Sequence, residues 1–175
     1  MKADLKKRLA SIKMILMDND GVLTDGSLYY GMNGVEFVAF NVKDGLGIKL
    51  AHMAGLMTGI ISGLQSKALK ERASMLGATE LHMSVTDKNT VYEQIKKKHS
   101  LEDSEIAFIG DDVIDLPILK RCGVAAAVAD AHPELRNEVH IVTKLPGGKG
   151  AVREFIDLVL DAKGIREQVY KQYKK

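Results

Sequence analysis

Two aspartates, Asp18 and Asp20, stand one residue apart at the end of a short apolar run and directly before Gly21. An apolar run that stops at acidic residues and glycine is typical of a buried strand that ends in a loop. Side chains two positions apart at a strand end lean to the same side, so these carboxylates are expected to lie close together. Because like charges at short range repel, the pair requires a compensating cation or a shared proton.

A second acidic segment follows the apolar run Ile106 to Ile109 and contains Asp111, Asp112 and Asp115. Asp111 and Asp115 are four residues apart where a helix is expected to begin, which places them on one helix face. A hard cation with a preference for oxygen ligands would relieve the crowding of such carboxylates and would keep waters for a phosphate group. The two acidic segments together therefore predict a Mg²⁺ site.

Two other polar residues are expected near these acids. Ser62 ends a second buried run, Met57 to Ile61, and Lys88 begins a later helix. Ligands of an open α/β sheet bind beyond the carboxyl ends of its strands. Taken singly, the serine could be a helix cap, the lysine a solvated surface residue, and each acidic segment a turn or a capped helix start. Their order after successive strands favours one joint site for a phosphate ester.

The elements that would position these residues alternate along the chain. Strands are predicted at residues 12–17, 57–61, 80–82, 106–109, 124–128 and 139–142, and helices begin near residues 44, 66, 87, 132 and 151. Such alternation indicates an α/β fold with a mostly parallel sheet and helices on both faces. Asn33-Gly34 predicts a hairpin within about residues 27–40, the one addition to a single domain. The polar, basic tail after Gly164 is expected to be mobile or loosely docked.

Composition excludes several classes of function. The 175 residues include 25 basic and 23 acidic side chains, a net charge of +2, which gives no electrostatic reason to expect nucleic acid or an anionic membrane as partner. The single cysteine, Cys122, cannot form an internal disulfide and is expected to be a buried thiol. No stretch reaches the roughly 20 apolar residues of a membrane span, and the charged start lacks a secretory signal. A cytoplasmic enzyme is therefore expected.

The acidic and polar residues also match four motifs of a known family. These are Asp18-Asn19-Asp20-Gly21-Val22-Leu23-Thr24, Ser62, Lys88 and Gly110-Asp111-Asp112-Val113-Ile114-Asp115. The set resembles the haloacid dehalogenase superfamily, whose first motif is DxDGxxT. Within that superfamily, the chain is similar to the phosphatases of 3-deoxy-D-manno-octulosonate 8-phosphate (Kdo 8-phosphate). The segments that carry this similarity are residues 20–26, 40–45, 110–115, 128–133 and 147–154.

The resemblance implies a capless, Rossmann-like enzyme with Asp18 as the nucleophile and Asp20 as the general acid and base. Mg²⁺ would be held by Asp18, the main-chain carbonyl of Asp20 and Asp111. Asp112 and Asp115 would support these ligands, and Ser62 and Lys88 would hold the transferring phosphate oxygens. Residues expected at the rest of the substrate are Thr24, Lys43, Asp44, Gly63 and Arg72.

Some of these substrate residues have ordinary alternatives. Arg72 could bind the carboxylate of a sugar acid bidentately, but it could equally form a surface ion pair. Lys43 and Asp44 could line the mouth of the site or be a solvated lysine and a helix cap. The resemblance also implies a homotetramer in which a neighbouring subunit helps to close the site. The glycine-rich segment near Gly147 resembles a C-terminal tail of the family that reaches a neighbouring site, or it is a loop before the last helix.

Two departures from the family pattern are Asn19, which replaces an apolar residue, and Leu64, which stands where an arginine or a glutamate is usual. Leu64 leaves open whether the substrate is Kdo 8-phosphate or a nine-carbon sialic-acid-type 9-phosphate. Two functions of other classes remain as alternatives. One is a phospho-acceptor domain, which the acid pair at the first strand disfavours, and the other is a noncatalytic oligomerisation module.

Overall fold

The structure is a computed structural model that describes residues 3–32 and 34–174. The strands are β1 Met14–Met17, β2 Tyr29–Gly31, β3 Gly34–Phe37, β4 Met57–Ile61, β5 Glu80–His82, β6 Ile106–Gly110, β7 Val124–Ala127 and β8 Ile141–Val142. The helices are α1 Ala3–Ser11, α2 Val42–Met53, α3 Lys67–Leu76, α4 Lys88–His99, α5 Leu116–Leu119, α6 Pro133–Asn137, α7 Ala151–Lys163 and α8 Arg166–Tyr170. Short 3₁₀ turns lie at Asp103–Glu105, Val113–Asp115 and Lys171–Tyr173.

Six strands form one parallel sheet in the order β5-β4-β1-β6-β7-β8, which confirms the predicted α/β fold. β1 lies between β4 and β6, and its last residue, Met17, is opposite Ile60 on one side and Ile109 on the other. The strand order reverses direction at β1, where ligands of open α/β sheets gather. The residues that follow these three strands therefore meet at one edge of the sheet.

The core of the molecule surrounds this central strand. All four residues of β1 are completely buried, and the buried apolar side chains belong to one continuous cluster. Helices α1 and α2 both pack on α7, whereas α4 packs on α5. A strand buried on both faces reads as an unbroken apolar run, which is why residues 12–17 were recognisable from the sequence. The rigid centre of the sheet fixes where its polar loop begins.

A two-stranded antiparallel hairpin, β2 and β3, stands in the position expected for it. The predicted turn includes Asn33, which lies outside the described residues. The hairpin exposes 58% of Tyr29, 73% of Tyr30 and 68% of Phe37. Three large apolar side chains on one small element are the kind of surface that proteins cover by association.

Helices α1 and α8 lie near the two ends of the described residues and both pack on the rest of the protein. The unpredicted helix α1 packs on α7 and buries Leu9 completely, although its other residues are mostly polar. The expectation of a mobile or loosely docked tail is wrong for α8, because Val169 is buried and the ring centroid of Tyr170 lies 5.5 Å and 5.0 Å from the guanidinium carbons of Arg153 and Arg166. The Tyr170 hydroxyl also donates to Asp157 at 2.8 Å. No helix within residues 3–32 and 34–174 combines the length and apolar character needed to cross a bilayer.

Candidate active site

Asp18 is the first residue after β1, and its main-chain amide continues the strand ladder by donating to Ile109 O at 3.1 Å. Its side chain is buried and lies beside the ammonium group of Lys88, 2.9 Å from Oδ1. The same ammonium is 2.7 Å from Oδ1 of Asp115. Lys88 begins α4 and is itself 5% exposed, so the alternative of a solvated surface lysine does not describe it. A buried cation thus joins two of the predicted site carboxylates.

Asp111 completes the acidic cluster. Oxygens of Asp18, Asp111 and Asp115 all lie within 4.8 Å of one another. The main-chain amide of Asp111 donates to Oδ2 of Asp115 at 3.1 Å, which holds the two acids together. Gly21 provides the space for this arrangement, since a Cβ atom there would lie 2.0 Å from Asp111 Oδ2. The structure therefore brings together acids from two loops, as the spacing in the sequence predicted.

The electrostatics of this cluster call for a cation. Burial and, after it, the charge of Asp115 raise the pKa of Asp18 to about 6, against the opposing effect of Lys88. Burial, followed by the charges of Asp18 and Asp115, raises the pKa of Asp111 to about 8. Three carboxylates with one lysine are thus short of positive charge at neutral pH. Closely spaced carboxylate oxygens of this kind fit a hard divalent cation such as Mg²⁺.

Asp20 faces a different set of partners from Asp18. Ser62, the residue after β4, donates its hydroxyl to Asp20 Oδ2 at 3.1 Å. The side-chain amide of Asn19 donates to the other oxygen, Oδ1, at 2.9 Å. Asp20 is half-buried, so its carboxylate lies at the boundary between the site and solvent. Both oxygens of this carboxylate are thus fixed by side-chain donors at the edge of the site.

Thr24 has a structural role within the same loop. It is buried, and its hydroxyl accepts from the main-chain amide of Gly26 at 3.2 Å while donating to Asn19 O at 3.4 Å. Asn19 O also accepts from the amides of Val22 and Leu23, so the loop closes on this one carbonyl. The geometry does not support the prediction that Thr24 binds substrate, because its hydroxyl already bonds inside the loop.

Asp44 likewise faces the interior of the protein. Its two carboxylate oxygens accept from the amides of Gly150 and Arg153 at 3.1 and 2.8 Å, at the N-terminus of α7. The sequence suggested either substrate binding or a cap, and the structure favours the cap, although for α7 and not for the helix that contains Asp44. A carboxylate at a helix N-terminus stabilises the amides that lack partners there.

Asp112 is exposed and caps the 3₁₀ turn that follows it, outside the cluster of Asp18, Asp111 and Asp115.

Three other predicted substrate residues lie on loops and helix starts. Lys43 is exposed in the first turn of α2, and Gly63 is exposed directly after Ser62. Arg72 donates to Asn41 O at 3.3 Å, and its guanidinium carbon lies 6.0 Å from the ring centroid of Phe40. The Arg72 side chain therefore packs against the segment that joins the hairpin to α2. Among the described residues, none of its hydrogen bonds or ion pairs is to a carboxylate.

The glycine turn, defined here as residues 146–150, is a support of the site that the sequence did not reveal. It connects β8 to α7, which matches the alternative of a loop before the last helix. Gly148 donates its amide to Val22 O at 2.9 Å, and Gly147 donates to Oδ1 of Asp130 at 2.9 Å. A Cβ atom on Gly147 would lie 1.7 Å from Gly21 O. The turn therefore packs directly on the loop that contains Asp20.

Replacing Gly148 by alanine should disturb catalysis more than its backbone strain explains. Gly148 has φ +63° and a Cβ atom there would lie 2.5 Å from Asp25 N, whereas Gly164 has φ +71° and no described heavy atom within 4 Å of that position. Both Gly148→Ala and Gly164→Ala should lose about 1–2 kcal/mol of unfolding free energy from left-handed strain. Gly148→Ala alone should also lower kcat/KM about 10-fold, because small displacements of reacting groups are costly.

Chemical denaturation and steady-state kinetics on the two variants measure this difference. Gly164→Ala is the matched control, since it has the same strain without the clash. Equal kcat/KM values in the two variants would show that the glycine turn does not position the loop.

Comparisons with known proteins identify relatives of this chain. A family model described as haloacid dehalogenase-like hydrolase matches residues 61–156. The chain is 42% identical over 157 residues to 3-deoxy-D-manno-octulosonate 8-phosphate phosphatase KdsC of Yersinia pestis, an alignment that covers 90% of this chain and 84% of that protein. It is 40% identical over 164 residues to the protein of the same name from Escherichia coli (strain K12), which covers 94% and 87% of the two chains.

A solved structure extends the likeness to three dimensions. The crystal structure of 3-deoxy-D-manno-octulosonate 8-phosphate phosphatase from Moraxella catarrhalis, in complex with a magnesium ion, a phosphate ion and a KDO molecule, superposes with a TM-score of 0.95. The two chains are 32% identical and each is covered to 99%. With its motifs at the ends of β1, β4 and β6 and with relatives of this similarity, the chain belongs to the haloacid dehalogenase-like hydrolases, in the branch that contains the Kdo 8-phosphate phosphatases.

Proposed function

We propose that this chain is a Mg²⁺-dependent phosphatase that hydrolyses Kdo 8-phosphate to Kdo and inorganic phosphate. The observation that carries the proposal is the meeting of Asp18, Asp111 and Asp115 within 4.8 Å at the carboxyl end of the central strand. The names of the relatives and the KDO molecule bound in the Moraxella catarrhalis protein support the choice of substrate.

Asp18 is the nucleophile in this proposal. One of its carboxylate oxygens attacks phosphorus in line, the bond from phosphorus to the sugar oxygen breaks, and an aspartyl-phosphate forms. Lys88, 2.9 Å from Asp18, offsets negative charge where an anionic nucleophile must approach an anionic ester. Mg²⁺ held by Asp18, Asp111 and the main-chain carbonyl of Asp20, with Asp115 behind them, would supply further charge neutralisation at the phosphate oxygens.

Asp20 handles the protons of both steps. It first donates a proton to the leaving sugar alkoxide and then accepts one from the water that attacks the aspartyl-phosphate. Ser62 is proposed to bind a phosphate oxygen beside the proton donor, and its position 3.1 Å from Asp20 Oδ2 supports this role. Water hydrolysis returns Asp18 as a free carboxylate and releases phosphate, which closes the cycle.

The sugar acid is proposed to bind along Gly63, Lys43 and Arg72. Lys43 is exposed and can reach a ligand in solvent, and Arg72 can offer its guanidinium to the substrate carboxylate. Leu64 is 44% exposed directly after Gly63 and offers no charge to the sugar. This apolar position is the reason for testing nine-carbon sugar acids as the alternative substrate.

The enzyme is proposed to act as a cytoplasmic homotetramer in lipopolysaccharide precursor synthesis, with a neighbouring subunit helping to close each site. The exposed rings of Tyr29, Tyr30 and Phe37 on the hairpin support association, because burying them removes apolar area from water. Residues 1–175 are treated as a single hydrolase domain, with the hairpin as an insertion and the residues after 160 as its C-terminal extension.

A substrate panel tests the function directly. Purified protein with Mg²⁺ is assayed for phosphate release from Kdo 8-phosphate, a nine-carbon sialic-acid-type 9-phosphate, a hexose 6-phosphate and p-nitrophenyl phosphate. Kdo 8-phosphate should give the highest kcat/KM. A preference for the nine-carbon ester would select the alternative substrate, and absence of turnover on every ester would instead support a noncatalytic module.

A further inference from the structure

Asn19 places a polar side chain between the two acids of the first loop and at the end of a fully buried strand. The residue is 1% exposed, and its amide nitrogen donates to Asp20 Oδ1 at 2.9 Å. Ser62 donates to the other oxygen of the same carboxylate at 3.1 Å. Each oxygen of the Asp20 carboxylate therefore has a side-chain donor. One donor is Ser62, which belongs to the family motifs, and the other is Asn19, which departs from the family pattern.

The orientation of the Asn19 amide follows from its neighbour. If the amide were turned over, its oxygen would face Asp20 Oδ1 at 2.9 Å, and two acceptors would repel each other. The nitrogen must therefore point at the carboxylate. A charge-assisted hydrogen bond of this kind is stronger than one between neutral groups, so it can select one rotamer of Asp20.

The other end of the amide argues against a purely structural role. Asn19 Oδ1 is buried, and no described residue provides it with a hydrogen-bond donor. A buried acceptor without a donor lowers stability, whereas an apolar side chain of the same shape would not. The Asn19 side chain thus lowers the stability of the fold, whereas its amide nitrogen fixes the position of the Asp20 carboxylate.

We propose that Asn19 is a positioning residue that aims the Asp20 carboxyl group at the leaving oxygen of the substrate. This inference rests on the proposed function, in which Asp20 donates a proton to the sugar alkoxide. The side chain of Asn19 bonds to Asp20 and to no other described group, so its effect on the reaction passes through Asp20. Replacing the Asn19 side chain should therefore lower kcat/KM more for esters whose leaving group requires protonation than for esters whose leaving group does not.

Asn19→Leu, nearly isosteric and apolar, tests this with two leaving groups. An alkoxide needs protonation and p-nitrophenolate does not, so kcat/KM for the best sugar-acid phosphate should fall about 10-fold, the worth of one hydrogen bond to a charged group. The kcat/KM for p-nitrophenyl phosphate should change less than about twofold, within the usual scatter of uncoupled sites. Using kcat/KM restricts the comparison to substrate binding and the phosphoryl transfer step, and excludes hydrolysis of the aspartyl-phosphate.

Two companion measurements separate positioning from folding. The melting temperature of Asn19→Leu should equal or exceed that of the unmodified protein, because the orphaned acceptor is gone. In an Asp20→Asn background, Asn19→Leu should have no further effect on the alkyl ester beyond about twofold, since the group it positions has already been removed. Asn19→Val provides the same tests with a smaller side chain.

The outcomes are distinguishable. Equal loss on both leaving groups, or an undiminished effect in the Asp20→Asn background, would overturn the inference while leaving the phosphatase function in place. Failure of both apolar variants to fold would also overturn it, because the amide would then be required for structure. Absence of turnover by the unmodified protein would overturn the proposed function and this inference with it.

Discussion

Asp18→Asn is expected to abolish phosphatase activity, with kcat falling at least about 10⁴-fold, the scale seen when a nucleophile is removed from a covalent mechanism. An amide oxygen is too weak a nucleophile to attack phosphorus and cannot form the aspartyl-phosphate. The shape of the side chain is unchanged, and Asp18 is buried beside Lys88 at 2.9 Å. The variant should therefore keep the fold while losing chemistry.

Phosphate release with p-nitrophenyl phosphate and Mg²⁺ measures the loss, and circular dichroism checks the fold. Asp4→Asn is a suitable control, because it makes the same chemical change on the exposed helix α1, where Asp4 pairs with Arg8. The control should retain full activity. Turnover by Asp18→Asn within tenfold of the unmodified protein would show that another group attacks phosphorus.

The centre of the site was predictable because it depends on local patterns. Asp18, Ser62 and Asp111 each follow a run of buried residues, and parallel strands bring their carboxyl ends to the same edge of the sheet. The sequence therefore indicated which residues meet without indicating distances. The buried ammonium of Lys88 could be placed by its motif, but its contact with both Asp18 and Asp115 needed the three-dimensional packing of α4.

The parts that escaped prediction depend on contacts between distant segments. Asp44 caps α7 through residues more than one hundred positions away, and the glycine turn packs on Gly21 across a similar separation. Thr24 was assigned to substrate because its motif adjoins the site, whereas its hydroxyl bonds inside the loop. The tail was misjudged because its docking relies on Tyr170, whose polar neighbours resemble a solvated segment.

Removing one carboxylate from the cluster gives the second large effect. Asp111→Asn should lower kcat at least about 100-fold, since even the partners of metal ligands are worth 10–100-fold. The cause is weaker binding of Mg²⁺ to the site shared with Asp18 and Asp115. Excess Mg²⁺ should recover part of the activity of Asp111→Asn and none of the activity of Asp18→Asn.

The same change should stabilise the protein when Mg²⁺ is chelated. Burial and neighbouring carboxylates raise the pKa of Asp111 to about 8 and that of Asp18 to about 6, from 3.8 in both cases. A folded-state pKa above the unfolded value means that the folded protein binds more protons between those two pH values. Stability from these groups is therefore complete below about pH 4 and declines as pH rises towards 8.

Thermal melting in a chelator, from pH 4 to pH 8, should show this decline, and Asp111→Asn should reduce it. At pH 8 without metal, the variant should melt about 2–8 °C above the unmodified protein, the shift that roughly 1–2 kcal/mol gives in a chain of this length. Mg²⁺ should reverse the order, because a cation bound to the folded state stabilises the protein that binds it more tightly. Equal stabilisation of both proteins by Mg²⁺ would show that the cation binds away from Asp111. A reversal of the two melting temperatures would show that Mg²⁺ binds at the crowded carboxylates whose change lowers the activity.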